Sequence, residues 1–205
     1  MGINLGKGQT ISLKKTENSS TENDLSKLTL GLGWDINDNG QDYDLDAVAL
    51  LLNKEGKLES NDDVICFSNK QHKSEKIHLT GDNLTGAGAG DDEQIIVNLN
   101  TLNEKYDKIV FYTTIFNGHS RQQEFSKVQN AYIRAVDAKN NEIAKFSISG
   151  NSDMKGKRSF VFAEAYRHEG EWKFRAIGEM HDTDSLMKVA ETYKSGAKKL
   201  FGIFG

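Results

Sequence analysis

Two segments of the chain concentrate oxygen donors among glycines: Asp35-Ile36-Asn37-Asp38-Asn39-Gly40-Gln41-Asp42-Tyr43-Asp44-Leu45-Asp46 and Gly81-Asp82-Asn83-Leu84-Thr85-Gly86-Ala87-Gly88-Ala89-Gly90-Asp91-Asp92-Glu93. They hold nine of the 30 carboxylates and neither lysine nor arginine. The chain is at −4 overall, so the remainder carries a net +5 once those nine charges are set aside. Negative charge is therefore focused instead of being spread over a solvated surface. The chemistry such a pattern suits is hard-cation binding. Ca2+ takes roughly six to eight oxygens from carboxylates, amides, backbone carbonyls and water, and glycine lets the backbone fold tightly around it.

Spacing sharpens the reading. Asp35, Asn37, Asn39, Gly40 and Asp46 fall at positions 1, 3, 5, 6 and 12 of the EF-hand calcium-loop template, with aspartate where that template has glutamate. An EF-hand needs flanking helices, whereas residues 28–34 and 47–52 read as strands. The segment is expected to be a strand-to-strand connection carrying an acidic metal loop, the alternative being a plain solvated Asn-Gly hairpin. In the second segment the glycines at 86, 88 and 90 permit a compact loop with inward carbonyls, and Asp82, Asn83, Asp91, Asp92 and Glu93 supply side-chain oxygens. A phosphate loop is disfavoured, because there is no Gly-Lys-Ser/Thr ending and the carboxylates would repel phosphate. The candidate metal ligands are thus Asp35, Asp44, Asp46, Asp82, Asn83, Gly90, Asp91, Asp92 and Glu93, with Asn37, Asn39 and Asp42 as additional ones. The ion expected is Ca2+.

The elements that must position these groups read as strands. β-Branched and aromatic runs recur at 11–13, 28–32, 47–52, 63–67, 94–99, 108–116, 131–136, 142–148, 158–166 and 172–177, separated by polar, glycine-bearing connections without a single proline. This predicts an all-β chain, a two-sheet antiparallel β-sandwich with the acidic loops at one end. Several runs are continuous instead of alternating, which predicts strands buried on both faces. From Leu186 the period changes: Leu186, Val189, Ala190, Tyr193, Ala197, Leu200, Phe201 and Phe204 recur at helical steps, with Lys188, Lys194, Lys198 and Lys199 opposite. An amphipathic C-terminal helix is expected, capped by Asp182 or Asp184 and packed on the sandwich, or else meeting an anionic membrane or a partner groove through residues 198–204. One domain over 1–205 is expected, the sandwich over 1–180 and the helix and tail over 183–205, with 17–24 an exposed polar loop.

Other chemistries find little support. Cys66, the only cysteine, lies in an apolar run and reads as a buried structural thiol. No apolar stretch approaches the roughly 18 residues of a spanning helix, and no signal-like segment opens the chain, so a cytoplasmic, non-transmembrane protein is expected. The histidines at 72, 78, 119, 168 and 181 show no zinc-like spacing and are expected mostly on the surface. No nucleophile sits in a Gly-x-Ser-x-Gly elbow, so catalysis is not indicated. A pI near 5.8 and a concentrated acidic pole oppose nucleic-acid binding.

At these residues the chain resembles the TerD family of tellurite-resistance and general stress proteins. The resemblance is carried by Gly31-Leu32-Gly33-Trp34-Asp35, by Asp44-Leu45-Asp46-Ala47, and by Gly81-Asp82-Asn83-Leu84-Thr85-Gly86 running into Gly90-Asp91-Asp92-Glu93. Lys108-Ile109-Val110-Phe111, Ala131-Tyr132-Ile133-Arg134, Ala165-Tyr166-Arg167-His168 and Gly170-Glu171-Trp172-Lys173-Phe174-Arg175-Ala176-Ile177-Gly178 agree with it. It spans residues 3 to 195. It implies a calcium-binding β-sandwich without enzymatic activity, acting in bacterial stress response with protein partners of a stress-response complex, at the inner membrane surface as one setting. A calcium-dependent recognition module presenting a partner, a carbohydrate or an anionic head group to the acidic pole is the alternative. The chain departs from the family pattern at Ala87 and Ala89, where acidic residues are usual between the glycines, and at Ile115-Phe116-Asn117, where a histidine-acid pair is frequent.

Overall fold

Side-chain alternation sorts the strands into two layers. The computed structural model describes residues 10–11, 24–35, 42–81, 83–87, 90–148 and 152–194. Its strands are β1 (Thr10–Ile11), β2 (Leu28–Asp35), β3 (Leu45–Leu52), β4 (Val64–Ile65), β5 (Ile77–Leu79), β6 (Glu93–Val97), β7 (Lys108–Ile115), β8 (Gln129–Val136), β9 (Glu142–Ser147), β10 (Ser159–His168) and β11 (Glu171–His181), followed by the helix α1 (Leu186–Lys194). One sheet runs β1-β11-β10-β7-β3-β4 and the other β5-β6-β2-β8-β9. Every pairing is antiparallel. In β6 the period of two is clean, with Glu93, Ile95 and Val97 buried and Gln94 and Ile96 half-buried.

The continuous apolar run of β3 has a tertiary cause. Ala47, Ala49 and Leu51 face the main core between the sheets, while Val48, Leu50 and Leu52 face a second apolar cluster roofed by Val189, Ala190 and Tyr193 of α1. The helix thus covers the outer face of the six-stranded sheet, and strands beneath it are buried on both sides. The broken alternation near Phe162 is a β-bulge. Register slips between Val161 and Ala163 against both neighbours, so Phe160, Phe162 and Ala163 all reach the main core while Val161 joins the second cluster.

Two expectations change here, the extent of the strands and the cap of α1. The three-residue β5, Ile-His-Leu, was too short to register as a period. The start of α1 is held by neither Asp182 nor Asp184: Ser185 Oγ accepts from the Lys188 N–H at 3.3 Å, and the Asp184 carboxylate instead accepts from the His119 N–H at 2.8 Å. The described helix ends at Lys194, so the apolar and basic tail positions 197–204 lie outside the described residues, as does the 17–23 part of the polar loop.

His72, expected on the surface, is 1% exposed. Its Nδ1 accepts from the Ser74 N–H at 3.1 Å, which leaves Nε2 to carry the proton toward Asp63 Oδ1 at 3.2 Å. Tyr106 Oη donates to the same Asp63 oxygen at 2.5 Å, and burial followed by Asp63 pushes that phenol well above its usual range. Cys66 is buried and free, as expected. Tyr106→Phe removes a buried donor to a carboxylate and is expected to cost about 2 kcal/mol. Urea unfolding followed by circular dichroism checks it, and an unchanged midpoint would mean that Asp63 loses nothing of value.

Candidate metal centre

The acidic pole forms where β2 ends, β3 begins and β6 begins. β2 pairs with β6 as far as Leu32 and Glu93. Beyond that pair the ladder continues through a side chain. The Asp92 N–H donates to the Leu32 carbonyl at 2.8 Å, and Asp92 Oδ2 accepts from the Trp34 N–H at 2.9 Å. The other Asp92 oxygen accepts from Asn83 Nδ2 at 2.7 Å. Asn83 Oδ1 in turn closes a turn by accepting from the Thr85 and Gly86 N–H groups, each at 3.1 Å. Gly86 has φ +76°, and a Cβ there would meet the Trp34 indole at 2.5 Å and its carbonyl at 2.8 Å. Only glycine satisfies both constraints.

The same indole reaches the first acidic segment. Trp34 Nε1 donates to the Tyr43 carbonyl at 2.8 Å, drawing residues 42–44 against the end of β2. Phe116 N–H donates to the Asp44 carbonyl at 2.8 Å, and Gln123 Nε2 to the Asp42 carbonyl at 2.9 Å, so the connection after β7 supports the segment from the other side. Glu93 links the layers: its Oε2 accepts from the Ala47 N–H at 2.7 Å, joining β6 of one sheet to β3 of the other. Asp44, Asp46 and Glu93 are all buried, at 7%, 3% and 1% exposure. Burial disfavours a carboxylate unless its charge is met. Asp44 precedes β3, Asp46 lies near the start of β3 and Glu93 begins β6.

Asp91 is turned elsewhere. Its carboxylate accepts from Arg134 Nε at 2.8 Å and Nη2 at 3.0 Å, from Tyr132 Oη at 3.1 Å and from Gln94 Nε2 at 3.0 Å. Both oxygens are therefore engaged by protein donors on the β2–β8 face, and the side chain is 1% exposed. Gly31 and Gly33 make the room. A Cβ on Gly31 would fall onto the Asp91 carboxylate, and one on Gly33 would meet the Tyr132 ring at 2.6 Å. Burial pushes the Asp91 carboxyl up, but the hydrogen bonds and charge of Arg134, with Gln94 and Tyr132, hold it below the ordinary carboxylate value. Asp92 moves the opposite way: burial, then the charges of Asp35 and Asp91, raise it against the pull of the Trp34 N–H. Burial and Asp91 push the Tyr132 phenol up to about 12.

Of the residues singled out from sequence, Asp44, Asp46, Asn83, Asp92 and Glu93 gather at this pole, with Gly90 at φ +95° in the turn before them. Asp35 is exposed at the edge, accepting from Asn130 Nδ2 at 2.6 Å. Asp42 lines an open cleft of about 630 Å³ with Asp44, Leu84, Thr85, Arg121 and Gln123. Asn37, Asn39 and Asp82 lie outside the described residues, as does Ala89. Among the described residues, no three Asp, Glu, His or Cys side chains are placed to hold one ion. Sequence reasoning missed Trp34, Arg134, Tyr132 and Gln123. For Arg134 and Tyr132 a signal existed, since Gly31 and Gly33 inside a strand mark places where another group approaches closely.

Fold and pole together define an antiparallel β-sandwich whose two sheets are tied by a carboxylate at an oxygen-rich end. The TerD-domain family model matches residues 1–193, and the chain belongs to the TerD family. It is 48% identical to tellurium resistance protein TerX of Serratia marcescens, over 94% of this chain and 100% of that one. It is 40% identical to general stress protein 16U of Bacillus subtilis, over 94% and 97% of the two chains. Among solved structures, a homologue of telluride resistance protein (TerD) from Streptomyces coelicolor matches with a TM-score of 0.66 at 20% identity, over 83% of this chain and 97% of that chain. This likeness speaks to the fold alone.

Proposed function

We propose that the chain is a calcium-binding, non-enzymatic stress protein of the tellurite-resistance type, acting in the cytoplasm with protein partners. The observation that carries this is the burial of Asp44, Asp46 and Glu93 where the two acidic segments meet, with Glu93 joined to the backbone of the opposite sheet. The donors are all hard oxygens, which suits Ca2+, and their mixture of carboxylate, amide and backbone oxygens suits its irregular shell better than the strict octahedron of Mg2+. Asp44, Asp46, Asp92, Glu93 and Asn83 would hold the ion by drawing together on binding, since among the described residues no three acidic side chains already stand around one point. Asp91 serves as a brace that orients Asp92 and Glu93 through Arg134. When bound, Ca2+ supplies positive charge that neutralises the pole and ties the two acidic segments to one point. Asn83, Trp34 and Gln123 hold those segments in place beforehand.

The names of the relatives support the stress-response part of the reading, and no helix among the described residues is long and apolar enough to cross a membrane. Isothermal titration calorimetry tests the metal. Calcium is expected to bind with a clear heat at sub-millimolar ion and magnesium at least tenfold more weakly. Equal affinities, or no calcium heat at millimolar ion, would overturn the assignment.

A second reading, a calcium-dependent recognition module, is favoured by the open cleft beside the pole. There Arg121 and Leu84, the latter 58% exposed, stand next to Asp42 and Asp44. Capture of a partner that survives a chelator would count against it.

A further inference from the structure

We infer that the open cleft beside the pole receives a short peptide segment of a partner protein, one in which a basic and an acidic side chain flank an apolar one. This names the occupant for the recognition reading above and rests on that reading. The cleft, of about 630 Å³, is lined by groups of three kinds: the carboxylates of Asp42 and Asp44, the guanidinium of Arg121 and the apolar Leu84, with Thr85 and Gln123 completing it. Its volume lies within the range of pockets that hold organic ligands. Asp42 and Arg121 are both exposed and carry opposite charge, yet among the described residues neither takes part in an ion pair. Leu84, at 58% exposure, is the one large apolar side chain among the described residues that stands mostly in solvent.

Each of these three groups is anchored on its own element. The Arg121 N–H donates to the Asn117 carbonyl at 3.0 Å, in a connection closed again by the Gln123 N–H on the Gly118 carbonyl at 2.7 Å. The Arg121 guanidinium lies over the Phe116 ring at 5.9 Å, and Phe116 is edged against Phe67 at 5.7 Å. Asp42 is held through its carbonyl, which accepts from Gln123 Nε2 at 2.9 Å. Leu84 stands in the turn that Asn83 Oδ1 closes on the Thr85 and Gly86 N–H groups. An occupant of one sign is repelled by part of this lining, a lone cation by Arg121 and a lone anion by Asp42 and Asp44. A segment carrying both signs meets each with its opposite, and the fork of guanidinium donors suits a carboxylate. An apolar side chain between the two covers Leu84 and removes its surface from water. Because the turns are closed before any occupant arrives, little ordering of the protein opposes binding.

The probe is the capped tripeptide acetyl-Lys-Leu-Glu-amide, with Lys-Leu-Lys, Glu-Leu-Glu and Lys-Ser-Glu capped in the same way as controls. In nuclear magnetic resonance titrations of the isotope-labelled full chain, the mixed peptide is expected to shift the amides of Leu84, Thr85, Arg121 and Gln123. It should bind about tenfold more tightly than each control. Arg121→Glu, at an exposed position, should reverse the preference and favour Lys-Leu-Lys over Lys-Leu-Glu by about the same factor. Leu84→Ser should bring Lys-Leu-Glu down to the level of Lys-Ser-Glu. Thermal unfolding confirms that both variants are folded. The titrations are run with calcium and again with chelator, and the mixed-charge preference in either condition upholds the inference. Its absence in both overturns it, even where calorimetry shows that calcium binds. Equal binding of all four peptides, shifts confined to another part of the chain, or an unchanged preference in Arg121→Glu would overturn it as well. Loss of a captured partner in chelator judges the recognition reading separately.

Discussion

Replacing Arg134 with methionine is expected to destabilise the chain by about 3 kcal/mol, because it strands a buried carboxylate. Asp91 is 1% exposed on its side chain, and Arg134 is its cationic partner, through two nitrogens at 2.8 and 3.0 Å. Tyr132 and Gln94 would continue to donate, so the loss falls short of that for an entirely unsatisfied charge. Asp91→Asn in the same background should recover part of the loss, since an amide carries no charge to be stranded. A double-mutant cycle by urea unfolding measures the coupling. Additive losses would mean that the pair contributes nothing beyond its separate parts.

The direction of the Asp91 shift gives the pH dependence. Its folded carboxyl titrates below the ordinary value of 3.8, so the unfolded chain binds more protons in that window. The contribution is fully present above the ordinary value and is lost as pH falls through the folded one. Asp92 acts in the opposite sense. Its raised carboxyl favours the folded state at low pH, and that contribution disappears as pH rises through its folded value. Acid unfolding of the Arg134→Met chain should accordingly begin at higher pH than that of the parent.

Saturating calcium is expected to raise the melting temperature by roughly 5–10 °C. A ligand that binds only the folded state stabilises it by about 2.7 kcal/mol at a hundredfold excess over Kd, and a chain of this size shifts by roughly 2–4 °C per kcal/mol. The physical source is relief of repulsion among buried carboxylates of the pole, which lies in segments lacking lysine and arginine. Asp46→Asn should remove most of the calcium-dependent shift while raising stability in chelator, because it deletes both a proposed ligand and a repelling charge. Differential scanning calorimetry with calcium, magnesium and chelator checks both. A melting curve insensitive to calcium would show that the pole is ordered without metal.

Much of the sandwich was legible along the chain because burial in a sheet imposes local patterns. The strands β2, β3, β6, β7, β8, β9, β10 and β11 each correspond to an apolar run, and the strand character of 28–35 and 45–52 excluded helices around the EF-hand-like spacing. The helix was readable from its change of period. Its cap was not, because Asp184 and Ser185 are both able to cap, and the choice between them depends on where the His119 N–H lies in space. β5 escaped because three residues carry no measurable period.

The candidate site divides along the same line. Residue type and clustering alone were enough to single out Asp44, Asp46, Asn83, Asp92 and Glu93 as candidates, since focused charge is a property of the sequence itself. Which carboxylate faces the pole is a different matter. Neighbouring residues in an extended chain point to opposite sides, so Asp91 and Asp92 diverge, one into Arg134 and Tyr132 and the other toward Trp34 and Asn83. No linear spacing contains Arg134, 43 positions from Asp91, or Gln123, 81 positions from Asp42, because these contacts exist only once two sheets and the connections between them are packed. Composition therefore marked where the acidic groups concentrate, and tertiary packing decided which partners each of them meets.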